Sequence, residues 1–193
     1  MVTIVDKIPG MSMRETVDLW RNAIRILTDR KRLREHEAAN RVLEAIDLEW
    51  RRRRADPNLD GIFAWPSTEA RPGNGGLDTE DWIKEGLLQY VGYRVGSTNG
   101  EQRRVRERIL AELFGGHLPP AFPTTYLDDW GTPGSAARLQ KIAETIAALT
   151  RNARRRRDSR MAAAIRDWES DLEYLYCEFY MGKFYFAWPN SNA

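Results

Sequence analysis

Arginine is the residue type through which this chain offers chemistry. Of 193 residues 30 are basic, and only Lys7, Lys31, Lys84, Lys141 and Lys183 are lysine. A guanidinium grips phosphate or carboxylate as a planar fork, where an ammonium acts as a point charge. The basic residues come in runs: Arg30, Lys31, Arg32 and Arg34; Arg51, Arg52, Arg53 and Arg54; Arg103 and Arg104, with Arg106 and Arg108 close behind; and Arg154, Arg155, Arg156 and Arg157. The formal net charge is only +2, so an anionic partner meets patches rather than a uniformly basic body. The phosphate backbone of DNA or RNA is the ligand such patches fit. The competing reading is that four arginines in a row circle a helix, some solvated and some paired with Asp and Glu.

Other chemistries find little to stand on. His36 and His117 are the only histidines and Cys177 the only cysteine, so neither a metal site of the His/Cys kind nor a cofactor is expected. Gly73 to Gly76 lacks the Lys-Ser/Thr that follows a phosphate-cradling loop and the strand that precedes it. No serine sits in a nucleophile elbow. Carboxylate pairs recur at Asp47/Glu49, Asp171/Glu173 and Asp128/Asp129. Residues two apart on a helix face different ways, so ion pairs with the arginines are expected of them, and no residue is assigned a catalytic role. Arg30 and His36 have the R-x5-H spacing of helical ribonucleases of the HEPN kind. The resemblance covers those residues alone. It implies RNA cleavage dependent on His36 as a minor alternative; a solvated helix face accounts for the same spacing.

The elements that carry the arginines read as a duplication. Phe63-Ala64-Trp65-Pro66 recurs as Phe186-Ala187-Trp188-Pro189. Upstream, Leu27-Thr28 matches Leu149-Thr150, Ala38-Ala39 matches Ala162-Ala163, and Asp47-Leu48-Glu49-Trp50 matches Asp171-Leu172-Glu173-Tyr174. Val17, Trp20, Ile24 and Leu27 recur at helical spacing, as do Leu139, Ile142 and Ile146. Neither Gly nor Pro occurs between Met11 and Asp56 or between Ser135 and Met181. Each copy is therefore one long helix or a hairpin of two. Roughly 45 helical residues at ~1.5 Å each outreach a compact domain of this length, which favours the hairpin. Asp158-Ser159 is a plausible N-cap at the second joint, and Ser12 with Glu15 has the capping-box spacing at the start of the first copy.

The reading that results is a mainly α single domain over residues 1–193. Repeat unit 1 covers about 12–68 and repeat unit 2 about 135–191, each closed by a short Phe-Ala-Trp-Pro strand. These strands are expected to form a small antiparallel sheet, with residues 2 to 8, a short strand or an extended arm, as a candidate third member. An insert over about 70–134 holds two helices, one capped by Asp78 and one by a Thr98/Glu101 box and ending at Gly115-Gly116. Trp65, Trp188, Phe63, Phe186, Tyr93 and Trp130 are expected in the core rather than stacked on bases. A lone cysteine and the lack of a signal pattern or spanning apolar run point to a cytoplasmic protein with no membrane partner. The expected function is non-catalytic nucleic-acid binding, with DNA or RNA phosphates held by the arginine runs. The alternative is a protein-interaction subunit of a bacterial multi-protein system that meets an acidic partner.

Overall fold

The computed structural model describes residues 3–56, 86–156 and 158–191. Helix α1 (Ile4–Lys7) and a 3-10 turn (Ile8–Gly10) lead into α2 (Met13–Thr28). A second 3-10 segment (Arg30–Glu35) joins α2 to α3 (His36–Arg54). Three short to medium helices follow: α4 (Leu87–Tyr90), α5 (Arg103–Gly115) and α6 (Thr124–Asp128). The chain then runs through α7 (Ala136–Arg156), a 3-10 turn (Ser159–Met161) and α8 (Ala162–Leu175), which continues as a π-helical turn (Tyr176–Tyr180). No helix among the described residues is long and apolar enough to cross a membrane.

Each long helical stretch is a hairpin. In α2 the stripe Val17, Trp20 and Ile24 is buried, and in α7 so is Leu139, Ile142 and Ile146. Each such side chain contributes about 1.5–3 kcal/mol when buried, far more than intrinsic helix propensity. Ser12 starts α2 with the expected box: its hydroxyl accepts from the Glu15 N–H at 3.3 Å, and its own N–H donates to the Glu15 carboxylate at 2.7 Å. Both joints use the same local device. The Asp29 side chain accepts from the Lys31 N–H at 2.9 Å, and the Asp158 side chain from the Arg160 N–H at 2.9 Å. An aspartate in extended backbone thus caps the turn that starts the next helix at both joints, and at the first joint Asp29 also ends α2. The first hairpin is locked where α2 begins and α3 ends: Trp50 Nε1 donates to Thr16 Oγ1 at 3.1 Å and Trp20 and Trp50 pack at 5.9 Å. Helix α5 supplies the centre of the core through Val105, Ile109, Leu110 and Leu113, packed on α2 to one side and on α7 and α8 to the other.

Four sequence expectations are corrected. No strand or sheet is found among the described residues. Residues 4–10 are helical, because Thr3 and Asp6 form a capping box of their own and outweigh the β-branched run. The second Phe-Ala-Trp-Pro is irregular chain. Its rings pack on rings: Trp188 lies 4.9 Å from Tyr180 and 5.3 Å from Tyr176, and Phe186 lies 4.9 Å from Tyr180, while Phe184 just before it lies 6.3 Å from Phe114. Side chains serve its backbone in place of a partner strand, with Tyr180 donating to the Phe186 carbonyl and Arg151 to the Asn190 carbonyl. The first Phe-Ala-Trp-Pro, Asp78 and Arg157 lie outside the described residues. In the insert, α5 begins at Arg103 with Gln102 as its N-cap, so Thr98 and Glu101 do not form its box, and α4 and α6 are separate short helices.

Candidate nucleic-acid interface

Helix directions decide which arginines meet. Arg25, near the end of α2, bonds Glu101 at 2.5 Å, just before α5 begins. Arg106 meets Asp171 at 2.8 Å, and eight residues further along both helices Phe114 meets Phe179 at 4.7 Å. Helices α5 and α8 therefore run parallel. Asp47, in the second half of α3, accepts from the His117 N–H just past the end of α5, while α3 starts from the joint that follows the end of α2, beside Glu101 and the start of α5, so α3 also runs parallel to α5. The joints after α2 and α7 consequently lie at one end of the bundle. Helices α3, α5 and α8 all start there, and helix starts carry partial positive charge and free N–H donors.

This joint end gathers three of the four basic runs. Arg30, Lys31 and Arg34 are exposed on the first joint, Arg104 on the first turn of α5, and Arg155 and Arg156 on the last turn of α7. None of these six has a carboxylate within 4 Å among the described residues, so their charge is offered to solvent. Their neighbours in sequence are occupied. Arg32 is held by Glu35 at 2.5 Å and Arg103 by Glu107 at 2.7 Å. Arg154 bonds Glu169 and the Ser191 carbonyl. The two joints are not equivalent in detail: Arg30 to Arg34 sit in the 3-10 segment itself, whereas Arg154 to Arg156 end a helix. His36 starts α3 with Nε2 3.3 Å from the Asp29 carbonyl.

Arg51 to Arg54 lie elsewhere, at the far end of α3, which at 19 residues spans roughly 28 Å. Three of them are engaged. Arg52 and Arg53 close on the buried Glu49 at 2.7 and 2.6 Å, and Arg53 also donates to the Met11 carbonyl at 2.7 Å. Arg54 pairs with Asp128 at 2.5 Å. The hydrogen bond from Arg52, reinforced by Arg53, holds the Glu49 carboxyl at about 2. A carboxyl depressed this far stabilises the fold above the ordinary glutamate range and loses that contribution as pH falls from about 4.5 toward 2. The shift corresponds to roughly 3 kcal/mol, and to about 2 once the exposure of Arg52 is discounted. In an acid titration followed by circular dichroism, Glu49→Gln should flatten this limb; an unchanged limb would show that the triad does not set it.

Among the carboxylate pairs, Glu49, Asp128 and Asp171 meet arginine, while Asp47 takes His117, accepting from its backbone N–H at 2.6 Å and bonding Nδ1 at 2.9 Å. Tyr93 and Trp130 are buried as expected. Two residues the sequence reading left out line a second cationic site with Arg51 and Arg54: Arg138 and His117. A signal for Arg138 exists, since it stands four residues before Ile142 on the apolar stripe of α7, where a charge is out of place. No known protein family, curated protein or solved structure matches this chain.

Proposed function

We propose that this chain is a non-catalytic nucleic-acid-binding protein that meets backbone phosphates with the joint end of its bundle. One observation carries the reading: Arg30, Lys31, Arg34, Arg104, Arg155 and Arg156, from three separated stretches, are exposed at the same end and lack carboxylate partners among the described residues. Phosphate contacts of this kind position a protein on DNA or RNA without reading sequence. Each neutralised phosphate releases counterions, so affinity must fall steeply with salt.

The test is fluorescence anisotropy with DNA and RNA oligonucleotides at two salt concentrations. If four to six of these cations engage phosphates, affinity should fall about 10²–10³-fold between roughly 50 and 200 mM salt. The variant Arg34→Ala/Arg155→Ala/Arg156→Ala should bind more weakly and with a shallower slope. Neutralising Arg52 and Arg53, which are tied to Glu49, should change little beyond stability. Flat salt dependence, or no binding to either nucleic acid at low salt, discards the proposal.

A further inference from the structure

We propose that the cavity between the end of α3 and the start of α7 is a binding site for a phosphate monoester dianion. The cavity measures about 370 Å³ and is lined by Arg51, Arg54, Arg138 and His117. It lies at the end of the bundle opposite the joints, so it stands apart from the nucleic-acid interface.

Its charge is lopsided. Arg138 is 1% exposed and its guanidinium donates only to backbone carbonyls. No carboxylate lies within 4 Å of it among the described residues. Burial first, and then the nearby Arg54 guanidinium, push Arg138 down to about 10, which places two like charges close together around this space. Arg51 is exposed and has no partner among the described residues. Arg54 shares its charge with Asp128, which is itself largely exposed. Three guanidiniums thus face one lining carboxylate, an excess of two positive charges that a dianion neutralises and a single carboxylate ligand does not. The Asp47 carboxylate bonds His117 Nδ1 at 2.9 Å and so fixes the imidazole in the wall of the cavity. Leu118 and Pro133 add an apolar wall. The volume falls at the lower end of small-molecule sites, more than bare phosphate fills and suited to a phosphate carried on a compact organic group. The forks that can match phosphate oxygens in pairs are those of Arg51 and, beside its bond to Asp128, Arg54; Arg138 contributes charge, since its N–H groups serve backbone carbonyls.

Such a phosphate comes either on a free small molecule or at the 5′ end of a nucleic acid. The test is calorimetric titration of the full chain, at low ionic strength, with inorganic phosphate and a nucleoside 5′-monophosphate, plus paired oligonucleotides with 5′-phosphate or 5′-hydroxyl ends. Both phosphate probes should bind, the monophosphate more tightly. Arg51→Ala and Arg54→Gln should each weaken the monophosphate about tenfold, with Arg51, exposed and unpaired, expected to leave folding intact by circular dichroism. Arg155→Ala/Arg156→Ala should weaken oligonucleotides and leave the monophosphate unchanged, which separates this site from the joint end. A preference for the 5′-phosphorylated oligonucleotide that Arg51→Ala removes identifies a nucleic-acid end as the source. Equal binding of the two oligonucleotides, with monophosphate binding kept, identifies a free small molecule. Absence of heat with either phosphate probe, or an affinity unaltered by Arg51→Ala, overturns the proposal.

Discussion

Arg138→Met is expected to lower the unfolding free energy by about 3 kcal/mol. The Arg138 guanidinium donates to the carbonyls of Trp130 at 2.9 Å, Leu113 at 2.7 Å, Gly116 at 3.1 Å and Gly131 at 2.6 Å. Those carbonyls belong to the end of α5 and to the turn that leads into α7, so one side chain ties three pieces of chain together. The turn itself depends on Gly131, whose φ of +73° and close approach to Ala137 and Arg138 leave no room for a Cβ. Methionine fills similar space but offers no donor, and each buried carbonyl stranded in this way costs about 1–3 kcal/mol. The substitution also removes the cost of burying a cation, seen in the fall of Arg138 to about 10. That return is why the expected loss is well below the sum of the individual bonds. Arg138→Lys keeps the charge but cannot reach four carbonyls from one ammonium, so it should fall on the same side. Urea unfolding of the three proteins measures this directly, and losses under about 1 kcal/mol in both variants would show the site to be dispensable.

Arg138 also marks where the sequence stops being readable. Periodicity exposed the helices because burial acts on a repeat of 3.6: Val17, Trp20, Ile24, Leu139, Ile142 and Ile146 are at most 4% exposed. Capping chemistry marked the start of α2 because Ser12 and Glu15 act within one turn. The hairpin was inferred from length, and the Asp29 and Asp158 turns make it. What failed depended on partners distant in sequence. Lys183 to Trp188 alternates like a strand, but strand formation needs a neighbour, and its rings found Phe114, Tyr176 and Tyr180 instead. Thr3 and Asp6 carry the same box spacing as Ser12 and Glu15, and the β-branched composition around them masked it. For the arginines, composition marked the runs without saying which members were spent. Glu49 ties up Arg52 and Arg53 from within one helical turn, a spacing visible in sequence. Asp128 reaches Arg54 and Glu169 reaches Arg154 only through the fold.

The directions of α3, α5 and α8 turn those local facts into a charge distribution. Because these three helices run parallel, their starts reinforce the free cations of both joints, while the end of α3 and the start of α7 share the opposite cavity. The parallel pairing of α5 with α8 is pinned by one buried cluster, and it is there that a single substitution should do the most damage. Asp171→Ala is expected to cost about 3–5 kcal/mol. Asp171 is 0% exposed and Arg106 3%. Arg106 binds it through Nε at 2.8 Å and Nη2 at 3.2 Å, and the Tyr93 hydroxyl donates to it at 2.6 Å. Asp167, one turn earlier, meets Arg106 at 3.1 Å and accepts from the Gly96 N–H at 2.8 Å. The cluster therefore holds α5, α8 and the turn at Tyr93 to Gly96 in one register. Burial pushes the Asp171 carboxyl above the usual aspartate range, against the pull of Arg106 and Tyr93. Burial, and then the Asp171 charge, drive Tyr93 well above its ordinary value, so its hydroxyl stays a donor. A carboxyl raised on folding takes up protons more readily in the native state, so stability from this group does not fall as pH drops; acid lability resides with the carboxyls held below their ordinary values, the buried Glu49 foremost and after it the more exposed Asp6, Glu15, Glu35 and Asp158. Removing Asp171 leaves a buried guanidinium with Asp167 as its one carboxylate and the Glu101 carbonyl as its other acceptor, which is the costly step; removing Arg106 as well takes away the stranded charge. A double-mutant cycle with Asp171→Ala and Arg106→Met should accordingly give a coupling of about 2 kcal/mol or more. A coupling under about 1 kcal/mol would mean that apolar packing of Ile109, Leu110 and Leu172 alone sets the register, and that the ion pair merely follows it.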